Sequence, residues 1–153
     1  MTTSAERLRA AGLRVTTPRL AVLDALDAAR VAGSDHHLTV ADVAARVRER
    51  RGSLSTQAAY DCLDALVGAG LARRIEPAGR PALYEARAGD NHHHVVCRVC
   101  GATADVDCAE GPAPCLLPAH HPPGFVVDEA EVIFWGRCAT CAPGPGPDGG
   151  RGG

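Results

Sequence analysis

Between residues 17 and 67 the apolar positions recur at helical spacing; beyond residue 71 they gather into short runs broken by Gly and Pro. Thr17-Pro18 predicts a helix start, with Thr17 as the cap and Pro18 at the first helical position. Val22, Leu23 and Leu26 supply its apolar stripe. Thr39 predicts the cap of a second helix, with Val40, Val43 and Val47 on one face and Arg46, Arg48, Arg50 and Arg51 crowding its end, where cations suit the helix dipole. Ser55 opens a third helix. Its Ala59, Cys62, Leu63, Leu66 and Val67 fall on one face, predicted buried, and Gln57, Tyr60, Asp61 and Asp64 share the opposite one. Gly70 predicts its C-terminal cap. Leu71 to Glu76 and Ala82 to Glu85 then read as two strands around the turn Pro77-Ala78-Gly79-Arg80-Pro81. Helix, helix, exposed-face helix and hairpin predict a winged helix-turn-helix.

The second half carries a different pattern. His94 to Cys97, Ala102 to Asp107 and Phe125 to Trp135 read as strands, and Phe125-Val126-Val127 and Val132-Ile133-Phe134-Trp135 are its strongest apolar runs. Cys108 to Gly124 is Pro-rich, with room for a short helix only, and the Gly/Pro tail from Pro143 is predicted to be disordered. There is no internal repeat.

A chain of 153 residues suits one domain or two small ones. It has no apolar run long enough for a membrane span and no signal-peptide pattern, so a soluble cytoplasmic protein without a membrane partner is expected. Seven cysteines, an odd number, fit metal and thiol chemistry in a reducing compartment better than a disulfide scaffold. All 16 basic residues are Arg, which with the abundant Ala, Gly and Pro reads as coding bias. The net charge of −2 divides into +2 for residues 1 to 85 (12 Arg, 10 acids) and −4 for residues 86 to 153 (4 Arg, 8 acids). That asymmetry is consistent with two domains facing different partners.

The chemistry concentrates at residues 92 to 101, His-His-His-Val-Val-Cys-Arg-Val-Cys-Gly, and at Cys138-Ala-Thr-Cys141. Two CxxC knuckles, Cys97 with Cys100 and Cys138 with Cys141, supply four thiolates, the donor set of a closed tetrahedral zinc site. A dithiol–disulfide pair is the alternative, but such motifs sit at a strand-to-helix junction of a βαβ unit, absent from this pattern. His92 and His94 share one side of a strand, His93 takes the other, and Asp105 lies on the neighbouring predicted strand. Imidazole and carboxylate together suit Fe²⁺, Mn²⁺ or Zn²⁺; the plain alternative is a solvated polar stretch. His36 and His37 precede the Thr39 helix as loop histidines, His120 and His121 read as exposed loop residues, and Cys62 as core. Cys108 and Cys115 flank the Pro-rich loop as free thiols or a labile pair.

From about Ala5 to Cys141 the chain resembles the ferric uptake regulator family of bacterial repressors, through Gly12-Leu13-Arg14, Thr17-Pro18-Arg19, the Ser55-to-Leu71 helix, HHHVVCRVCG and the final CATC. Within that family it is similar to the catalase-peroxidase repressors, the CatR-like group, through STQAAYD at 55 to 61, RRIEPAG at 73 to 79, GDNHHHVVCR at 89 to 98, ADVDCAEGPAPCL at 104 to 116 and DEAEVIFWG at 128 to 136. The resemblance implies an α+β homodimer: a winged-helix DNA-binding domain over residues 1–86, a hinge at 87–91, a small zinc-stabilised α/β dimerisation and metal-sensing domain over 92–142, and a tail at 143–153. It implies structural Zn²⁺ on Cys97, Cys100, Cys138 and Cys141, and a regulatory Fe²⁺ or Mn²⁺ on His37, Glu85, His92, His94 and Asp105. It also implies that Ser55, Gln57 and Tyr60 face double-stranded operator DNA, with Arg19 near the phosphates and Cys108 and Cys115 as candidate redox thiols. The chain departs from the family's pattern with Asp61 where many members have Arg, Ala130 where many have His, and Glu85 where peroxide sensors often have Asp.

The expected function is a metal-dependent, peroxide-responsive repressor of catalase-peroxidase or oxidative-stress genes. An iron- or zinc-uptake regulator of the same fold is the alternative. An enzyme is disfavoured: no general base is identifiable, and five protein donors leave little room for water and substrate together. A zinc-stabilised interaction module without DNA binding is the remaining class.

Overall fold

In a computed structural model the chain forms two compact units, Met1–Asp90 and Asn91–Gly153. The described residues are 1–33, 36–86, 88–107 and 116–142. Cys108, Cys115 and the tail from Pro143 therefore lie outside them.

The first unit contains helices α1 (Ser4–Ala10), α2 (Thr17–Ala32), α3 (Val40–Arg51) and α4 (Thr56–Gly68), then an antiparallel hairpin of β1 (Arg73–Ile75) and β2 (Leu83–Glu85). Each helix start has a capping side chain. Thr3 and Glu6 form a capping box at α1, and Thr39 and Asp42 form one at α3. Ser55 Oγ accepts the Ala58 N–H at α4. The cap of α2 is Thr16, one residue before the expected Thr17: its Oγ1 accepts the Arg19 N–H at 3.4 Å. The next donor, the Leu20 N–H, is already bonded to the Thr16 carbonyl, so Thr17 is the first helical residue and Pro18 the second. Helix α1 was not expected; its capping box, Thr-x-x-Glu, is the signal that marks it in the sequence.

The expected stripes converge on one core. Leu8, Val22, Leu23, Leu26, Val43, Leu63, Leu66 and Tyr84 are all fully buried in it. Each such aliphatic side chain contributes about 1.5–3 kcal/mol of burial. Ion pairs tie the helices at the rim: Arg7 to Asp27, and Arg51 to Asp24, which also accepts from the Ser4 hydroxyl. Cys62 lies in the core as expected, and burial raises its thiol pKa, which makes it a packing residue rather than a nucleophile.

The second unit is a three-stranded sheet in the order β4-β3-β5, with β3 His92–Cys97, β4 Thr103–Asp107 and β5 Ile133–Gly136. β4 is antiparallel to β3 and β5 is parallel to it. The long strand expected over Phe125 to Trp135 is thus reduced to its last residues. Phe125 follows the Pro122-Pro123-Gly124 turn, and Phe125 and Val126 are exposed. The acidic stretch Asp128 to Glu131 separates them from β5, and the β3 edge pairs only from Ile133 onward, just after His94 N–H meets the Val132 carbonyl. Among the described residues of this unit, Val96 and Cys97 are the buried apolar ones, while Leu116, Leu117 and Phe134 are exposed. So small a core does not stabilise a sheet on its own, and additional cross-links or contacts must do so.

Candidate metal centres and the exposed face of α4

The sulfur cluster follows from the sheet register. Cys97 ends β3, and the parallel pairing of Cys97 with Gly136 brings the end of β5 beside it. The first knuckle closes through Gly101 N–H to the Cys97 carbonyl at 3.0 Å, with Gly101 at φ 80°. The second closes through Cys141 N–H to the Cys138 carbonyl at 3.0 Å. Arg98 N–H bonds to the Gly136 carbonyl at 2.8 Å and its guanidinium lies 5.4 Å from the Trp135 ring centroid, which joins the two knuckles.

The four Sγ atoms all lie within 4.8 Å of one another, and Cys100 Sγ is 3.6 Å from Cys138 Sγ. A tetrahedron with Zn–S bonds of about 2.3 Å has an edge of about 3.8 Å. The backbone N–H groups of Cys100 and Cys138 point at the Cys97 sulfur and lower its thiol pKa to about 5. Cys138 is lowered as well, mainly by the Cys141 N–H. Cys141 is pushed up to about 12 by sharing its proton with the Cys138 and Cys100 sulfurs. The cluster thus prefers some thiolates but holds a proton, which a soft divalent cation would displace.

The first unit holds a second group of donors. Leu38 and Tyr84 form an antiparallel bridge, with N–H···O distances of 2.9 and 2.8 Å. That places the preceding His37 opposite the following Glu85. His37 Nε2 lies 3.3 Å from Glu85 Oε2, and His36 Nε2 lies 3.8 Å from the same oxygen. The two imidazoles are 4.1 Å apart between centroids, and Glu85 is fully buried. His36, expected as a plain loop histidine, thus joins His37 at this carboxylate; an adjacent His pair gives no signal in the sequence of which ring faces a distant carboxylate.

The third group is in the second unit. His94 pairs with Asp105 across β3 and β4, and His92 lies two residues away on the same face. Their Nε2 atoms are 3.7 and 3.8 Å from Asp105 Oδ1, and the rings meet edge-on at 4.8 Å. Both histidines are fully buried, which rules out a solvated polar stretch. His93 is buried too, on the opposite side of the strand. His120 and His121 are exposed, as expected.

The residues expected to face DNA are set on α2 and α4. Tyr60 is 43% exposed, and Gln57, Asp61 and Asp64 are exposed beside it. Ser55 is occupied as the helix cap. Arg19 is half-buried on α2, its guanidinium donating to the Arg14 carbonyl at 3.1 Å. Among the described residues no helix is long and apolar enough to cross a membrane.

Residues 10–111 match the model of the ferric uptake regulator family. The transcriptional regulator FurA of Mycobacterium tuberculosis is 53% identical over 138 residues, covering 90% of this chain and 89% of that protein. Ferric uptake regulation protein 1 of Mycolicibacterium fortuitum is 55% identical over 133 residues, covering 87% and 78%. Among solved structures, the ferric uptake regulator from Pseudomonas aeruginosa with manganese aligns at a TM-score of 0.64 and 25% identity, over 91% of this chain and 99% of that one.

Proposed function

The chain belongs to the ferric uptake regulator family, a metal-responsive transcriptional regulator and not an enzyme, and from this premise we propose that it is a homodimeric, peroxide-responsive repressor of palindromic operators. In this reading residues 1–86 bind DNA, residues 87–91 are the hinge, and residues 92–142 sense metal and dimerise. The protein acts in the cytoplasm. Cys97, Cys100, Cys138 and Cys141 hold Zn²⁺, a closed thiolate set whose ligation supplements the small apolar core among the described residues of the second unit.

The observation that carries the regulatory part is the presence of a buried histidine–carboxylate group in each unit: His37 with Glu85, and His92 and His94 with Asp105. Each group alone offers fewer donors than Fe²⁺ or Mn²⁺ takes; together they offer five of suitable hardness. A cation shared between them favours one relative orientation of the units, and that preference is the coupling free energy between metal and DNA. The relative from Pseudomonas aeruginosa was solved with manganese, which supports an ion of this class here.

Iron in such a site supplies peroxide reactivity that manganese lacks. His37 and His92 are the imidazoles that oxidation would modify, and loss of either donor would release the coupling. The resemblance of stretches such as STQAAYD at 55 to 61 and DEAEVIFWG at 128 to 136 to the catalase-peroxidase repressors supports this reading, with oxidative-stress genes as targets. The name of the Mycolicibacterium fortuitum relative, ferric uptake regulation protein 1, favours an iron-uptake regulator as the second reading. Operator binding by iron- and manganese-loaded protein, before and after peroxide, decides between them. Release from DNA in the iron form alone supports the peroxide sensor, whereas binding that follows metal supply and ignores peroxide supports the uptake regulator.

A further inference from the structure

Helix α4 carries Asp61 and Asp64 and no basic residue, although its exposed face is the one proposed to enter the groove of a polyanion. A carboxylate there weakens attraction to every DNA sequence. Asp61 has no ion pair among the described residues. Its partner is Gln57, one turn earlier: Gln57 Nε2 donates to Asp61 Oδ1 at 2.9 Å.

That bond does more than hold two surface side chains together. A carboxylate only accepts hydrogen bonds, so the end of the Gln57 amide that faces Asp61 must be the nitrogen. An unconstrained terminal amide adopts either of two orientations. With one N–H committed to Asp61, Gln57 keeps one N–H and its carbonyl oxygen in a fixed order. A donor and an acceptor in that arrangement match N7 and the N6 amino group of adenine in the major groove. We propose that Asp61 is a positioning residue, which orients Gln57 to read an adenine in each operator half-site at some loss of sequence-independent attraction. The inference rests on the proposed DNA binding.

The test is selection from a randomised pool of double-stranded oligonucleotides by the zinc-loaded protein with Mn²⁺, followed by competition between the four bases at the selected position. The wild type should prefer adenine there by roughly 5- to 150-fold. Gln57→Ala and Asp61→Ala should both bring the preference near parity, and the double variant should lose no more than either one. Asp61→Asn should retain the preference, because its carbonyl oxygen accepts the same bond, while binding all sequences more tightly through the loss of a negative charge. An Asp61→Ala protein that keeps the adenine preference, an Asp61→Asn protein that loses it, or a Gln57→Ala protein with an unchanged motif overturns the inference alone. A wild type that enriches no sequence with or without metal overturns the DNA-binding reading itself.

Discussion

His37 Nε2 lies 3.3 Å from Glu85 Oε2 because the neighbouring backbones of Leu38 and Tyr84 are bridged. The capping box of Thr39 and Asp42 then fixes the chain immediately after the bridge. The histidine is therefore held between a strand edge and a helix start, and both fix the position of its donor atom. Preorganisation of this kind lowers the cost of assembling a ligand set.

Replacement of Glu85 tests whether this pair is part of the switch. Glu85→Gln keeps the volume and removes the charge. It should leave a folded, zinc-loaded protein whose affinity for Mn²⁺ falls by at least the roughly 10- to 100-fold that loss of an outer-shell partner costs. Metal-dependent operator binding should fall in parallel. Isothermal titration with Mn²⁺ and a DNA shift assay measure the two, and unchanged values in both would remove Glu85 from the site.

Removal of zinc should unfold the second unit. Structural zinc sites contribute apparent binding free energies of about 10–16 kcal/mol, far more than the apolar core of this unit can supply. Trp135 pairs with Val96, next to the knuckles, and is the single Trp of the chain. Its fluorescence should shift to the red on chelation and in Cys97→Ser or Cys138→Ser, with loss of the dimer in light scattering. A zinc-free variant with native emission and dimer mass would show that the cluster is not structural.

Contacts to bases and to phosphates should separate under mutation. Tyr60→Ala removes an exposed aromatic face from α4 and should cost about 1–3 kcal/mol of discrimination between sequences. Arg19→Ala should weaken binding to all sequences and lower the salt slope by about 1. Titrations of specific and scrambled duplexes over a range of salt give both quantities. The reverse ranking would place α4 away from the bases.

Peroxide chemistry should follow the metal. After peroxide treatment of iron-loaded protein, tryptic mass spectrometry should find an added oxygen on the peptide containing His37 or His92, and manganese-loaded protein should lack it. Equal disulfide formation in both forms, with the histidines intact, would assign sensing to thiols such as Cys108 and Cys115.

The parts of this protein that follow from local physical chemistry are legible in its sequence. The stripes of α2, α3 and α4 and the Thr39 and Ser55 caps depend on neighbours within a turn or two, and the buried faces fall where the spacing puts them; the α2 cap is Thr16 rather than the expected Thr17. The CxxC knuckles are local as well, since the spacing alone brings each pair of sulfurs together. What the tertiary structure decided is which distant segments meet. The register that sets Cys97 beside Gly136 joins the two knuckles. The bridge of Leu38 to Tyr84 turns His37, and with it His36, toward Glu85. Phe125 to Val127 has the apolar character of a strand, but a strand needs a partner edge, and β3 pairs with this segment only from Ile133, beyond the acidic Asp128 to Glu131. Periodicity reports which face of an element is apolar; it carries no information about the long-range pairing that closes a loop, because that pairing is settled by the competition of all segments for the same edges and core.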